Sequence, residues 1–238
     1  MIEMITVKQL ASAMEQTVLR PETTDAILKE CCQIAKSWDI AALCVRPCDI
    51  VEAKRLLHGS DVKTCATIAF PHGGAKTNIK VAAAADALED GADEIELMPN
   101  IGSLTSGNFT EFERDIKAVS LVTYRQNKPL RVILETCYLS KQLIAEGCRI
   151  CLSAGADYVV TSTGYGIAGA NAEDVALMKA TLADENVKIK ASGGIKTLDS
   201  ALEMLGAGGS RIGTGFVKTI LEEASARQRE GVLDIVRR

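Results

Sequence analysis

VKIKASGGIKTLDSALEMLGAGG, residues 187–209, decides the fold. It opens on a β-branched run (187–191), passes through a glycine turn, and continues as a helical pattern over 197–209. Apolar residues in that pattern recur three and four apart, and it closes on glycine, a common helix stop. Strand, turn and helix in immediate succession form the unit from which parallel sheets are built.

The same unit recurs along the chain. Strand-like runs fall at 16–19, 41–45, 64–70, 94–98, 131–135, 158–161, 187–191 and 210–213. Helical patterns fill 81–92, 110–126, 140–156, 171–182, 197–209 and 216–228. Eight strands with helices between them predict an α/β fold, a single-domain (β/α)8 TIM barrel over residues 1–238. The first run, in EQTVLRP, carries the shortest signal. A doubly wound sheet is the alternative, but it more often has fewer strands and a GxGxxG turn after the first. No Pro/Gly/Ser linker divides the chain.

Composition narrows the function. The chain has 238 residues, is 47% hydrophobic and only 4% aromatic, and carries a net charge of −4. That suits a large core of parallel strands and tightly packed helices. No basic tract points to nucleic acid, and no apolar stretch approaches the roughly 20 residues of a membrane span. The opening MIEMITVKQL lacks the charged-then-apolar pattern of a signal peptide, so the cytoplasm is the expected location. The eight cysteines are then expected as reduced thiols. Cys148-Arg-Ile-Cys151 matches CxxC but lies within a helical pattern, where packing explains it better than redox chemistry.

A barrel of this kind places its active site at the carboxyl ends of the strands. Three consecutive ends, TSTGYG (161–166), ASGGIK (191–196) and GTGF (213–216), are dense in small polar residues and glycine. Glycine lets backbone N–H groups approach an anion, and a following helix adds a favourable dipole. Tight turns also need glycine, but three such loops in succession predict a phosphate ligand. The candidate contacts are Thr161, Thr163, Gly164, Ser192, Gly193, Gly194, Gly213 and Thr214.

Charges inside strands are the second signal. Lys190 lies one residue before a glycine loop, and Lys188 shares its parity at greater depth. Glu94 and Glu96 alternate in DEIELM, with Glu96 nearer the mouth, and Glu135 ends RVILE. A buried lysine with a lowered pKa could act as base or nucleophile, and a carboxylate beside it could relay protons. A structural Lys–Glu ion pair between strands fits the spacing equally well. The two histidines favour no metal site: His58 reads as a solvated helix end, and His72 sits alone in a strand-end loop. Neither metal nor cofactor is expected.

Taken in order, QTVLRP (16–21), CVRP (44–47), TIAFPHG (67–73), GADEIELMPNIG (91–102), VILETCYL (132–139), GADYVVTSTGYGIAGA (155–170), KASGGIKT (190–197) and SRIGTG (210–215) resemble the deoxyribose-phosphate aldolases, the DeoC-type class I aldolases. The resemblance covers nearly the whole chain. It implies carbon–carbon bond cleavage or formation on a phosphorylated sugar or aldehyde, and a possible homodimer. It implies a strand-6 lysine that forms a Schiff base, a strand-7 lysine that perturbs it, and a strand-4 acid that relays protons. Lys190 matches the second and Glu96 the third. Val160 stands at the first, and valine cannot form an imine. Thr17 and Cys44 in the matched strand ends add expected substrate contacts.

Other positions depart from the family pattern. Glu15-Gln16-Thr17 replaces an acidic residue, His and Thr. Val45-Arg46-Pro47 replaces Val-Asn-Pro, adding a cation near the mouth. Gly215-Phe216 replaces serine-rich phosphate contacts. The expected enzyme is a lyase of the aldolase class in which Lys190 and Glu96 carry the chemistry, by an imine on Lys190 if the two positions face one cavity. An acid–base isomerase, dehydratase or cyclase, and a non-catalytic sugar-phosphate-binding protein, are the alternatives.

Overall fold

The computed structural model describes residues 2–182, 186–229 and 234–236. Eight parallel strands close on themselves: β1 (Met14–Val18), β2 (Ala42–Val45), β3 (Lys63–Ile68), β4 (Glu94–Leu97), β5 (Leu130–Ile133), β6 (Tyr158–Val160), β7 (Lys188–Ser192) and β8 (Arg211–Thr214). The last pairs with the first, Glu15 opposite Gly213, and helices separate consecutive strands. The fold is the (β/α)8 barrel that the strand–turn–helix pattern predicts.

The run boundaries shift for local reasons. β1 begins at Met14, two residues before the expected run, because a helix Val7–Ala13 delivers the chain there under a Thr6–Gln9 capping box. β3 stops at Ile68, since Ala69 turns left-handed at φ 56. β5 stops at Ile133, and Glu135 is left-handed at φ 53. A short antiparallel ribbon, Ile2–Met4 with Asp234–Val236, joins the two ends of the described chain.

Side-chain alternation along each strand divides the barrel into two layers. Leu43, Ile95, Val132, Val159, Ile189 and Ile212 face outward into one apolar core shared with the helices. Each such side chain, fully buried, contributes roughly 1.5–3 kcal/mol. Cys148 and Cys151 lie in this layer on helix Lys141–Ser153, as packing residues. His58 is exposed at its helix end. The opposite parity points into the barrel, and there the middle of the strands carries charge. Among the described residues no helix is long and apolar enough to cross a membrane.

A second buried ion pair fixes the end of β4. Asp115 accepts from Lys80 Nζ at 2.5 Å, from Thr77 Oγ1 at 2.8 Å and from the Asn100 N–H at 2.9 Å. Asn100 begins the turn that follows β4, so this carboxylate ties two helices to the mouth. Asp115→Ala leaves a buried ammonium without its partner and is expected to lower the urea-unfolding free energy by about 3–5 kcal/mol. Adding Lys80→Met should recover much of that loss, because the isolated charge is then gone.

Candidate active site

Lys190 lies mid-strand in β7 and directs its ammonium at two carboxylates. Nζ is 2.5 Å from Glu96 Oε2 on β4, and it also hydrogen-bonds Glu15 Oε1 on β1. The other Glu15 oxygen takes the Arg131 guanidinium from β5, which also pairs with Glu94. Arg211 on β8 lies 3.4 Å from Glu94 and 3.6 Å from Glu15. Three carboxylates thus face three cations. Tyr158 packs below them, its ring centroid 5.2 Å from the Arg131 guanidinium carbon and 5.3 Å from that of Arg211.

This balance sets the protonation states. Burial would depress the Lys190 amine, but Glu15 and Glu96 outweigh it and hold Lys190 above the ordinary lysine value. The expected lowered pKa is therefore corrected: Lys190 is an ammonium. For Glu15, burial is outweighed by Arg131, Lys190 and Arg211, and its carboxyl is held well below the usual range. Glu96 goes the other way. Burial pushes it up and the Glu15 anion reinforces this, against the pull of Lys190. One carboxylate is a fixed anion and the other can hold a proton.

Cys44 and Cys65 complete the centre. Cys44 Sγ lies 4.0 Å from Glu96 Oε1, and its contact with Cys65, together with burial, pushes the thiol well above its ordinary value. The ligand atoms of Glu15, Cys44, Cys65 and Glu96 lie within 4.8 Å of one another, a donor set that fits a soft divalent metal. The Lys190 ammonium already sits against both carboxylates, so the cation place in this cluster is filled by the protein itself.

Val160 is the register partner of Lys190 but faces different company. It packs with Met98 and Ile133 in a small apolar cluster, with Phe70 and Ile101 against it. Both Val160 and Lys190 are fully buried. Neither is among the residues that line the cavity described next.

The open space lies just outside this layer. A cavity of about 560 Å³ is walled by loop 163–166 after β6, floored by Ser192, Gly193 and Gly194, and closed by 213–216 at the end of β8 with Thr17 and Leu19 at the end of β1. Gly193 and Gly194 have φ 86 and 75, a conformation that favours glycine. Among the described residues, the N–H groups of Gly193, Gly194 and Gly215 donate to no protein group. Arg20 and Lys196 border the same space, and helix Val217–Arg229 begins at its edge. Free amides, a helix start and two cations are the features that suit a surface to an anion. Gly213 joins the two levels: a Cβ there would come within 2.7 Å of Lys190 Cε.

A family profile for the DeoC/LacD family aldolases matches residues 9–218. The chain belongs to that family. It is 40% identical over 205 residues to the deoxyribose-phosphate aldolase of Treponema denticola, spanning 86% of this chain and 94% of the relative. It is 41% identical over 220 residues to that of Caldicellulosiruptor saccharolyticus, spanning 92% and 100%. The fold matches the tetrameric deoxyribose phosphate aldolase of Aeropyrum pernix with a TM-score of 0.86 and 26% identity, covering 95% of this chain and 94% of that one.

Of the residues expected in this aldolase-family site, Thr17, Thr163, Gly164, Ser192, Gly193, Gly194, Gly213 and Thr214 line the cavity. Lys190, Glu96 and Cys44 lie in the charged layer below. Thr161 is placed elsewhere: its hydroxyl bridges to Ser192, donating to the carbonyl at 3.1 Å and accepting from the N–H at 3.0 Å. Strand parity turns it outward. Arg46 is not free at the mouth either. It pairs with Asp49 at 2.7 Å and donates to the carbonyls of Arg20, Pro21 and Thr23. The sequence assigns no role to Arg131 or Arg211, and to Glu15 only a place in the first matched motif, although each is a charge inside a strand run or beside one.

Glu135 holds the cavity wall. It accepts from the Thr163 N–H at 3.3 Å and from the Thr163 hydroxyl. Burial raises its pKa above the ordinary 4.5, against these hydrogen bonds. A raised folded-state value means that the folded protein binds the proton more tightly than the unfolded chain. Its contribution to stability is therefore fully present below about 4.5 and falls as pH rises through the folded-state value. The unfolding free energy of the native protein minus that of Glu135→Gln should decline over that window and then level off. Urea titrations at a series of pH values measure it, and a flat difference would refute the assignment.

Proposed function

We propose that this aldolase-family chain acts on a phosphorylated, sugar-like carbonyl compound and works on it by proton transfer and charge stabilisation, without an imine on β6. The observation that carries this reading is the Lys190 ammonium, held between Glu15 and Glu96 directly beneath a glycine-floored anion cavity. The cavity amides with Arg20 and Lys196 would hold the phosphate. The carbonyl arm would reach inward past Gly213.

In the cleavage direction a β-hydroxyl loses its proton, the adjacent carbon–carbon bond breaks, and the electron pair comes to rest on the carbonyl oxygen as an enolate. The Lys190 ammonium stabilises that charge. Glu96, the carboxylate with the raised pKa, relays the proton that leaves the hydroxyl to the enolate carbon. Val160, at the position that the resemblance assigns to the imine, adds an apolar wall. The same ammonium and relay also suit isomerisation through an enediolate, a second reading that rests on the charged state of Lys190.

Borohydride reduction with 2-deoxyribose 5-phosphate or glyceraldehyde 3-phosphate, followed by peptide mass spectrometry, separates the routes. No lysine adduct is expected in the native protein; an adduct on Lys190 would sink the non-imine route. Glu96→Gln and Lys190→Met are each expected to lower turnover of an accepted substrate by roughly 10²–10⁴-fold. Val160→Lys should gain an adduct at position 160, because burial and the neighbouring Lys190 cation both favour a neutral amine there. If no phosphorylated carbonyl compound is bound or turned over, the proposal fails.

A further inference from the structure

Chemistry at Lys190 and Glu96 requires a route to them, yet Lys190 is fully buried and Glu96 is 3% exposed. The side chain that spans the mouth above them is Tyr165. It leaves the loop after β6, and its hydroxyl donates to the Leu19 carbonyl after β1 at 3.0 Å. β7 and β8 stand between those two strands in the barrel, so the ring forms a chord across the mouth. Its edge meets Phe70 with 5.4 Å between centroids, and Phe70 packs on the Met98–Ile133–Val160 cluster. The ring therefore lies between the outer cavity, which it lines, and the axis of the barrel.

Both anchorages of this chord are firm. At its root, the Tyr165 N–H donates to Thr163 Oγ1 at 3.0 Å, and Thr163 is gripped by Glu135. At its tip, the loop that carries Leu19 continues into the three carbonyls held by Arg46, itself fixed by Asp49. Tyr165 between them is 45% exposed; its hydroxyl donates one neutral hydrogen bond and its ring makes an edge contact with Phe70, both weak interactions. A weakly held ring between two fixed posts is the arrangement of a gate.

We propose that Tyr165 controls access from the anion cavity to the Lys190–Glu96 centre, opening by rotation of its own side chain while the two loops stay in place. It thereby limits the bulk of the carbonyl arm that can pass. The link to substrate rests on the reading given under Proposed function; the gating itself does not.

Interior thiols report opening without any substrate. Cys44 and Cys65 lie in the charged layer behind the ring, whereas Cys148 and Cys151 are buried in the outer helical layer and serve as internal controls. Labelling by N-ethylmaleimide is followed peptide by peptide. Tyr165→Ala is expected to raise the rate at Cys44 about tenfold or more, and Tyr165→Phe, which loses only the hydroxyl, by a smaller factor. The rates at Cys148 and Cys151 should not change. An unchanged rate at Cys44 in Tyr165→Ala, or an equal rise at all four cysteines, overturns the gate. If labelling behaves as expected but no phosphorylated carbonyl compound is turned over, the gate stands and the proposed chemistry falls.

Discussion

Everything inside this barrel depends on one ammonium group placed between two carboxylates. Burying a single ion removes several kcal/mol of hydration, so Lys190 is tolerable only with Glu15 and Glu96 against it. Those anions need further cations, which Arg131 and Arg211 supply, and the arginines in turn need Glu94 and the face of Tyr158. The requirement propagates around the barrel until the charges cancel. Space follows charge: Gly213 and the small thiols of Cys44 and Cys65 leave room where a larger side chain would displace the ions.

The same constraint separates the two carboxylates by role. Glu15 meets three cations and stays ionised, while Glu96 meets fewer and is pushed toward its protonated form. Two acids with divergent pKa values around one cation are a common basis for proton transfer. The glycine-floored cavity sits one layer outward, where undonated backbone amides lie beside Arg20 and Lys196. Because its amides are fixed by glycine turns, it needs no reorganisation to receive a charge.

The sequence carried the architecture well because periodicity is local. Strand runs, helix patterns and glycine loops each fit within a dozen residues or so, and parity alone put Lys190 and Glu96 inside. What it did not carry was the state of Lys190, which depends on how many carboxylates arrive beside it. Glu15 is 175 positions away and Glu96 is 94 positions away. Arg131 and Arg211 are hidden for a related reason: a lone charge at the base of a short strand looks like a solvated end until barrel closure buries it. At the strand ends parity did not decide: Thr161 and Thr163 share it, but β6 ends at Val160, and the loop that follows carries Thr163 into the cavity while Thr161 ties β6 to β7. Glu135 is legible as a charge at the end of its strand run, but not its target, since its left-handed backbone is what turns its carboxylate onto Thr163.

Gln16, Arg46, Val160 and Gly215 are linked through the mouth of the barrel. Gln16 Nε2 donates to the Gly215 carbonyl at 3.4 Å, so the β1 and β8 ends touch each other. Arg46 grips the loop that carries the acceptor of the Tyr165 hydroxyl, which joins the β2 end to the mouth. Val160 faces an apolar cluster capped by the same tyrosine through Phe70. Residues in contact couple energetically, so changing one of these positions alone would meet neighbours fitted to it. The four strand ends are parts of one connected mouth above the buried charge balance, and the apolar cluster of the β6 valine lies against it through Phe70.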